Sequence, residues 1–381
     1  MKVHFPGLNA LRFIGAFSVV FCHIELSKKE FGYSHIYDSF DFFRYTSGHL
    51  GVVLFYVLSG FLITYLLLAE KQTFQKISIF DFYVRRALRI WPIYYLLIGF
   101  VFFILPQILT DYPGRLPITA DNFLSVFAIY FLLVPNLAVI GIGGAGGAFQ
   151  LGTIGTEEQF YWGWPWLVSS TKHIFWVLCF VFVSISLLPH FVDYSLAHFN
   201  FQGPLLYFVT KLKLFLPVFQ INCMAMGGLM SYFVFTKQKK ILSAFYHPSV
   251  QFLCIMLGFG GWLFGMHFKY FTDEVYAVLF ATVILNVATN PKNIFKIENP
   301  ITNYLGKVSY GLYVFHWVIV LLVLALGKKI FTDVAENSLI IHMFVYLLSV
   351  GLTLAVSHVS YTYYESYFLK MKDKFAKIHS S

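Results

Sequence analysis

Charge is scarce in this chain. Only 12% of its 381 residues are Asp, Glu, Lys or Arg and 58% are hydrophobic, whereas roughly a quarter of residues are charged in ordinary soluble domains. That deficit excludes a soluble enzyme and an intrinsically disordered chain. Cysteine is sparse too. Cys22, Cys179, Cys223 and Cys254 stand singly in apolar segments with no C-x-x-C and no metal-like spacing, so a disulfide scaffold is excluded and the thiols read as packing residues. Long polar stretches are also missing. The longest breaks between apolar runs are about 20 residues, too short for a separate catalytic domain, so residues 1–381 are expected to form one membrane unit with no soluble domain. No cleavable leader is evident, because the first apolar run contains Arg12 and is followed by further runs. No G-x-S-x-G elbow, Walker loop, H-E-x-x-H or aspartate-rich metal motif occurs. Hydrolase, ATPase and metalloprotease readings therefore lack support, and no metal is expected.

What the chain does have is apolar length. Runs of about 18 to 22 residues, enough to cross a bilayer core, recur throughout. The predicted spans are 8–26, 47–69, 91–108, 121–140, 174–190, 214–235, 248–266, 275–289, 304–326 and 338–360. The expected fold is an all-α integral membrane protein, a polytopic bundle of about ten transmembrane helices. Its net charge of +9 sits in the short breaks, where it reports orientation and not a nucleic-acid partner. The breaks after the second, sixth and eighth spans carry Lys71, Lys76, Arg85, Arg86 and Arg89, then Lys237, Lys239 and Lys240, then Lys292 and Lys296. Those breaks are assigned to the cytoplasm. Ten crossings place the tail, with Lys370, Lys372, Lys374 and Lys377, on the same side. Both termini are thus expected to be cytoplasmic and the Tyr112 loop external. Lys28 with Lys29, and Lys211 with Lys213, run against the bias. One segment fits no span: Phe160 to Val168, with Trp162, Trp164, Pro165 and Trp166, is too short and reads as interfacial or re-entrant.

Ionisable residues inside spans are costly and mark candidate sites. The first span holds Arg12 and His23, eleven residues apart, which is about 16 Å along a helix and close to one face. One helix so offers a cation near its inner end and a proton-transfer group near its outer end. The competing reading is that Arg12 snorkels to headgroups and His23 packs. His316, beside Trp317 in the ninth span, reads first as an interhelical hydrogen-bonding residue and second as a catalyst. Arg85, Arg86 and Arg89 precede Trp91 and Pro92. Arg85 and Arg89 share a face, and Arg86 lies three residues before Arg89. Guanidinium forks bind phosphate bidentately, so the cluster suits an anionic nucleotide or coenzyme, or else anionic lipid. The run Gly141 to Gly147 matches G-x-G-x-x-G only formally, since a membrane helix and no strand precedes it. Beyond it, the adjacent acids Glu157 and Glu158 must point different ways on a helix.

Six segments then resemble, in order and over nearly the whole chain, acyltransferase family 3 of membrane proteins. They are GLNALRFIGAFSVVFCH from Gly7 to His23, GVVLFYVLSGFLIT from Gly51 to Thr64, FYVRRALRIWPIYYL from Phe82 to Leu96, EEQFYWGWPWL from Glu157 to Leu167, LGKVSYGLYVFHW from Leu305 to Trp317 and SYTYYESYFL from Ser360 to Leu369. The family's R-x10-H pattern falls on Arg12 and His23, and its R-x-x-R pattern on Arg86 and Arg89. The resemblance implies that His23 and Glu158 are catalytic, that Arg12 joins Arg85, Arg86 and Arg89 in holding the donor, and that Ser59, Gly60, Phe61, His316 and Glu365 are supporting positions. Where relatives often read T-W-S-L-x-x-E-E, this chain has Leu151 to Thr156 before Glu157. The implied activity is O-acylation: an acyl group, expected to be acetyl, passes from cytosolic acyl-CoA to a hydroxyl of a cell-surface or lipid-linked sugar. The implied setting is a bacterial plasma (inner) membrane. The alternatives from the residues alone are a proton-coupled transporter or flippase of a surface-glycan precursor, with Arg12, His23 and His316 as the relay, and a silent scaffold.

Overall fold

Inside a bilayer the backbone has no water to bond, so apolar runs must close their hydrogen bonds internally, and a helix does this within one segment. The computed structural model describes residues 2–35, 42–109, 118–332, 335 and 338–380; the Tyr112 loop lies outside them. Among the described residues the regular elements are helices, save for a two-residue parallel pairing of Lys2–Val3 with His379–Ser380. That pairing brings both termini to one end of the bundle, called here the terminal end.

The helices are α1 (Leu8–Glu30), α2 (Phe42–Phe74), α3 (Ile79–Ile108, with a π turn at Phe100–Ile104), α4 (Ala120–Phe131) and α5 (Leu151–Ser170). Then follow α6 (Ile174–His198), α7 (Gly203–Phe215), α8 (Ile221–Phe235), α9 (Lys239–Phe245), α10 (Pro248–Leu263) and α11 (Thr272–Thr289). Last come α12 (Pro300–Lys307), α13 (Ser309–Ile330) and α14 (Leu339–Asp373, with a π turn at Ser360–Glu365).

Among the described residues seven helices are long and apolar enough to cross a membrane, and the bent pairs α7–α8 and α9–α10 raise the number to nine. The remaining passage departs from expectation. The run 121–140 does not form one span: α4 stops at Phe131, and Pro135–Ile140 coils into a 3-10 turn. The segment expected to be a short interfacial piece, Phe160 to Val168, is instead the second half of the 20-residue α5. The two helices share one passage. α4 descends beside the upper half of α3, with Phe123 and Phe127 on Phe102 and the Tyr95 hydroxyl donating to the Phe131 carbonyl at 2.9 Å. α5 resumes inside the bundle, where Gln150 donates to the Val314 carbonyl at 2.8 Å, and ends where Lys71 Nζ meets the carbonyls of Val168, Ser169 and Thr171. Together they lead the chain from the upper end of α3 back to the terminal end. α3 also starts earlier than the expected 91, so the arginines lie on its first turns.

The helices differ in how much they are covered. The spanning windows of α2 and α13 are 72% buried, whereas those of α6 and α14 are 17% and 22% buried, so the first two are central and the last two face lipid. Small residues let α2 approach α8 closely. A Cβ on Gly60 would stand 1.9 Å from the Met224 carbonyl oxygen, and one on Gly227 2.0 Å from that of Val57. The chain is an all-α polytopic membrane protein, and its polar residues gather along α1, α2, α3, α5 and α13.

Candidate active site

A cavity of about 100 Å³ lies among these five helices, lined by Arg12, Ser59, Arg86, Arg89, Glu157, Tyr161, Tyr310 and Tyr313 with apolar neighbours. Each polar residue reaches it for a local reason. On α1, Arg12 Nη1 donates to Asn9 Oδ1 at 3.0 Å, and Asn9 in turn donates to Asn303 Oδ1 at 2.5 Å, which ties α1 to α12 and holds the guanidinium inward. On α3, Arg86 and Arg89 are three residues apart on one face. Arg86 lies 5.8 Å over the Tyr161 ring, its Nε buried without a partner. Arg89 makes no hydrogen bond or ion pair among the described residues.

Glu157 answers these cations from α5. Its Oε1 accepts the Ser59 hydroxyl at 2.7 Å and its Oε2 the Tyr161 hydroxyl at 3.3 Å. Ser59, Gly60 and Phe61 so divide three tasks within one turn of α2. Ser59 holds the carboxylate, Gly60 admits α8, and the buried Phe61 packs edge-on against Phe5.

Glu158 and Arg85 do not line this cavity. Glu158 is buried on the neighbouring face of α5, in a side groove with Tyr83, Trp91 and Trp162 that shares Arg86 and Tyr161 with the cavity, and Trp91 Nε1 donates to its Oε2 at 3.5 Å. Arg85 is engaged at the terminal end: it pairs with the buried Glu70 at 3.2 Å and donates to the Phe375 carbonyl at 2.8 Å. Its donors fasten the tail to α2 and α3.

His23 meets His316, with His23 Nδ1 2.6 Å from His316 Nε2. His316 Nδ1 faces the Leu312 carbonyl, one turn back on α13, at 3.2 Å. A carbonyl only accepts, so His316 carries its proton on Nδ1. With both rings neutral, His316 Nε2 is then the acceptor and His23 donates through Nδ1, an assignment made from the network. His23 Nε2 is left with a free lone pair. The His23 ring is half-buried and stacks on Trp317 at 4.0 Å between centroids, while His316 is fully buried.

A polar layer separates the histidines from the cavity. Tyr313 donates to the Gln150 carbonyl at 3.1 Å and its hydroxyl lies 2.5 Å from Thr153 Oγ1. The other face of the Tyr313 ring approaches His316 at 5.9 Å. Tyr310, Tyr313 and His316 recur every third residue of α13 and form one stripe from the cavity to the histidine pair. Tyr161 stands four residues after Glu157 on the same face of α5. That spacing is the sequence signal for these tyrosines, and it is a weak one because aromatic residues at helical spacing usually mean packing.

Toward the terminal end a second cavity of about 260 Å³ adjoins the first and shares Arg12, Leu62, Arg89 and Tyr310 with it. Glu365 lines it, turned inward by the π turn of α14, with one oxygen accepting the Ser360 hydroxyl at 3.1 Å.

A sequence profile described as an acyltransferase domain matches residues 5–361. The chain belongs to this acyltransferase family. Among the proteins similar to it is the O-acetyltransferase OatA of Staphylococcus aureus (strain NCTC 8325 / PS 47), 22% identical over 385 residues that cover 95% of this chain and 57% of the relative. Another is the peptidoglycan O-acetyltransferase OatA of Listeria monocytogenes serovar 1/2a, 27% identical over 171 residues that cover 43% of this chain and 24% of the relative. The chain thus spans under three-fifths of the length of the curated relatives it matches. No solved structure matches it. The matched stretch of this family member contains the inner cavity and the histidine pair, while Glu365 lies just beyond it.

Proposed function

We propose that this acyltransferase moves an acetyl group from acetyl-CoA to a hydroxyl of a cell-surface polysaccharide or its lipid-linked precursor. The observation that carries the reading is the sequence of groups along one axis. Unpaired guanidinium groups come first, then a cavity with a hydrogen-bonded carboxylate, then the tyrosine layer and a histidine with a free ring nitrogen. The S. aureus and Listeria relatives are named as O-acetyltransferases, which supports acetyl as the group and a glycan hydroxyl as the acceptor.

In this reading Arg12 and Arg89 hold the donor's anionic portion and Arg86 faces the thioester cavity. His23 Nε2 removes the proton of the acceptor hydroxyl as its oxygen attacks the thioester carbonyl. The new C–O bond forms, the C–S bond breaks, and the departing thiolate takes the proton as coenzyme A thiol. His316 holds His23 in the reactive tautomer. Glu157, and not Glu158, is the carboxylate we assign to the reaction cavity, where it orients Ser59 and Tyr161 and balances the arginines. The Tyr313–Thr153 contact must part for the acyl group to meet His23. We further place the terminal end in the cytoplasm, the bundle in the plasma membrane, and the chemistry within the bundle itself.

The deciding experiment follows coenzyme A thiol release by the purified protein in nanodiscs with acetyl-CoA and a glycan acceptor, together with mass spectrometry of the glycan. Acceptor-dependent thiol release with a 42 Da gain on the glycan, the mass of a transferred acetyl group, is expected. Glycan movement across vesicles without thiol release would replace this reading with a flippase.

A further inference from the structure

The arginine cluster accounts for the inner cavity but not for the larger one at its mouth. Arg12 and Arg89 reach this outer vestibule from one wall, and Lys307 from α12 and Lys372 from the end of α14 reach it from the others. Glu365 is the one acid lining it, and no ion pair links Glu365 to any of the four cations among the described residues. Lys307 carries no ion pair or side-chain hydrogen bond there either, and Lys372 touches only Asp373, at 3.5 Å, which does not line the vestibule. Arg12, Arg89 and Lys372 are half-buried around this space and Lys307 stands exposed at its rim, so four like charges face one opening and repel one another unless an anion joins them.

Their placement is built. A Cβ on Gly306 would stand 2.1 Å from the Asn9 carbonyl oxygen, so α12 is pressed against α1 and the next residue, Lys307, is fixed at the vestibule rim. The π turn at Ser360–Glu365 shifts the register of α14, whose end packs against α3 and brings Lys372 to the vestibule beside Arg89. Arg85, by contrast, has spent its donors on Glu70 and Phe375.

We propose that this vestibule is a phosphate site in which Lys307 and Lys372, with Arg12 and Arg89, hold the phosphate groups of the nucleotide end of the acyl donor. This rests on the donor reading above and assigns two residues to it. Phosphate oxygens suit the site because flexible ammonium groups serve as point charges for them while arginine supplies the fork. The inner cavity, sharing four lining residues with the vestibule, is then left for the uncharged thioester arm. The shared ligand chemistry is a phosphate-bearing anion, which an anionic lipid headgroup also offers.

The test compares affinities for coenzyme A, 3′-dephospho-coenzyme A and pantetheine in nanodiscs of neutral lipid, for the wild type, Lys307→Gln, Lys372→Gln and the double variant. Loss of one charge-assisted contact corresponds to about tenfold in affinity, so each single variant should weaken coenzyme A binding about tenfold and leave pantetheine binding unchanged. Lys372→Arg should keep most of the affinity. Unaltered pantetheine binding also shows that the variants are folded. Wild-type protein that binds none of the three overturns the donor reading itself. Wild-type binding with both variants unchanged overturns only the vestibule assignment, as does an equal loss for coenzyme A and pantetheine, which would mark a structural role. Coenzyme A affinity that falls as anionic lipid is added to wild-type nanodiscs, but not to the double variant, would give the vestibule to a lipid headgroup instead.

Discussion

The 2.6 Å contact between His23 and His316 holds a single proton, and the Leu312 carbonyl decides which ring supplies it. Replacing His23 with Ala removes the free nitrogen and should lower turnover about a hundredfold or more, the usual contribution of a general base. Donor affinity should stay unchanged, because no phosphate contact is lost. A variant that keeps a tenth of wild-type turnover would end the catalytic assignment. His316→Phe removes the acceptor for Nδ1–H and should lower kcat by less, whereas His316→Gln, whose amide oxygen still accepts that proton, should recover part of the loss. Equal loss in both would make the role of His316 one of packing.

At this scale the chain was partly readable. Arg12 and His23 stood out because eleven residues nearly complete three turns. Their neighbours did not. His316 lies 293 residues from His23, and no local spacing reports such a pair. Adjacent acids must diverge, but which one enters the cavity depends on where α2 presents Ser59, a tertiary fact. Glu157→Gln is therefore expected to reduce turnover more than Glu158→Gln, by steady-state thiol release, and the reverse order would return the role to Glu158.

Among the helices, the α2–α8 crossing sets where Ser59 stands. Gly60 faces the backbone of Met224 and Gly227 that of Val57 and Phe61, so a methyl group at either has no soft neighbour to displace. Gly60→Ala should destabilise the protein by about 1–3 kcal/mol through overpacking. It should lower the thermal midpoint in detergent by a few degrees and reduce activity through the displaced Ser59. A midpoint equal to wild type would mean that the helices separate without cost. Helix existence was legible from apolar run length alone, since a bilayer leaves the backbone no alternative. The exception is instructive. In 121–140 the run is mainly apolar, yet Pro135 and Gly141 break it into α4 and a 3-10 turn, and the missing length is supplied by α5. Hydropathy registers that a segment is buried in something apolar. It does not distinguish lipid from the inside of a bundle.

For the whole molecule the question is which compartment receives the terminal end. Charge bias points to the cytoplasm, and the structure accounts for one of the basic residues that oppose it. Lys28 is buried in an ion pair with Glu25 at 2.6 Å, beside the Tyr346 hydroxyl, so it is not a free positive charge of the kind that holds a loop inside. Lys29 is exposed, and Lys213 meets Asp193 at 2.8 Å in a solvent-facing pair, so these remain against the bias. The far end is marked by His49 at the start of α2, which meets Asp273 at the start of α11 at 2.7 Å. The exposed loop between α10 and α11 containing Lys269 belongs to the same end. In a cysteine-free background, Lys269→Cys should react with a membrane-impermeant maleimide in intact cells, while Lys239→Cys and Lys374→Cys should react only after permeabilisation. Labelling of positions 239 and 374 from opposite sides would break the expected ten-passage path between them and mean that the bent pair α9–α10 does not cross. Labelling of both from outside would keep the path but invert it. The vestibule with Lys307 and Lys372 would then open away from the cytosolic coenzyme pool, and the donor would have to be sought among extracellular acyl carriers.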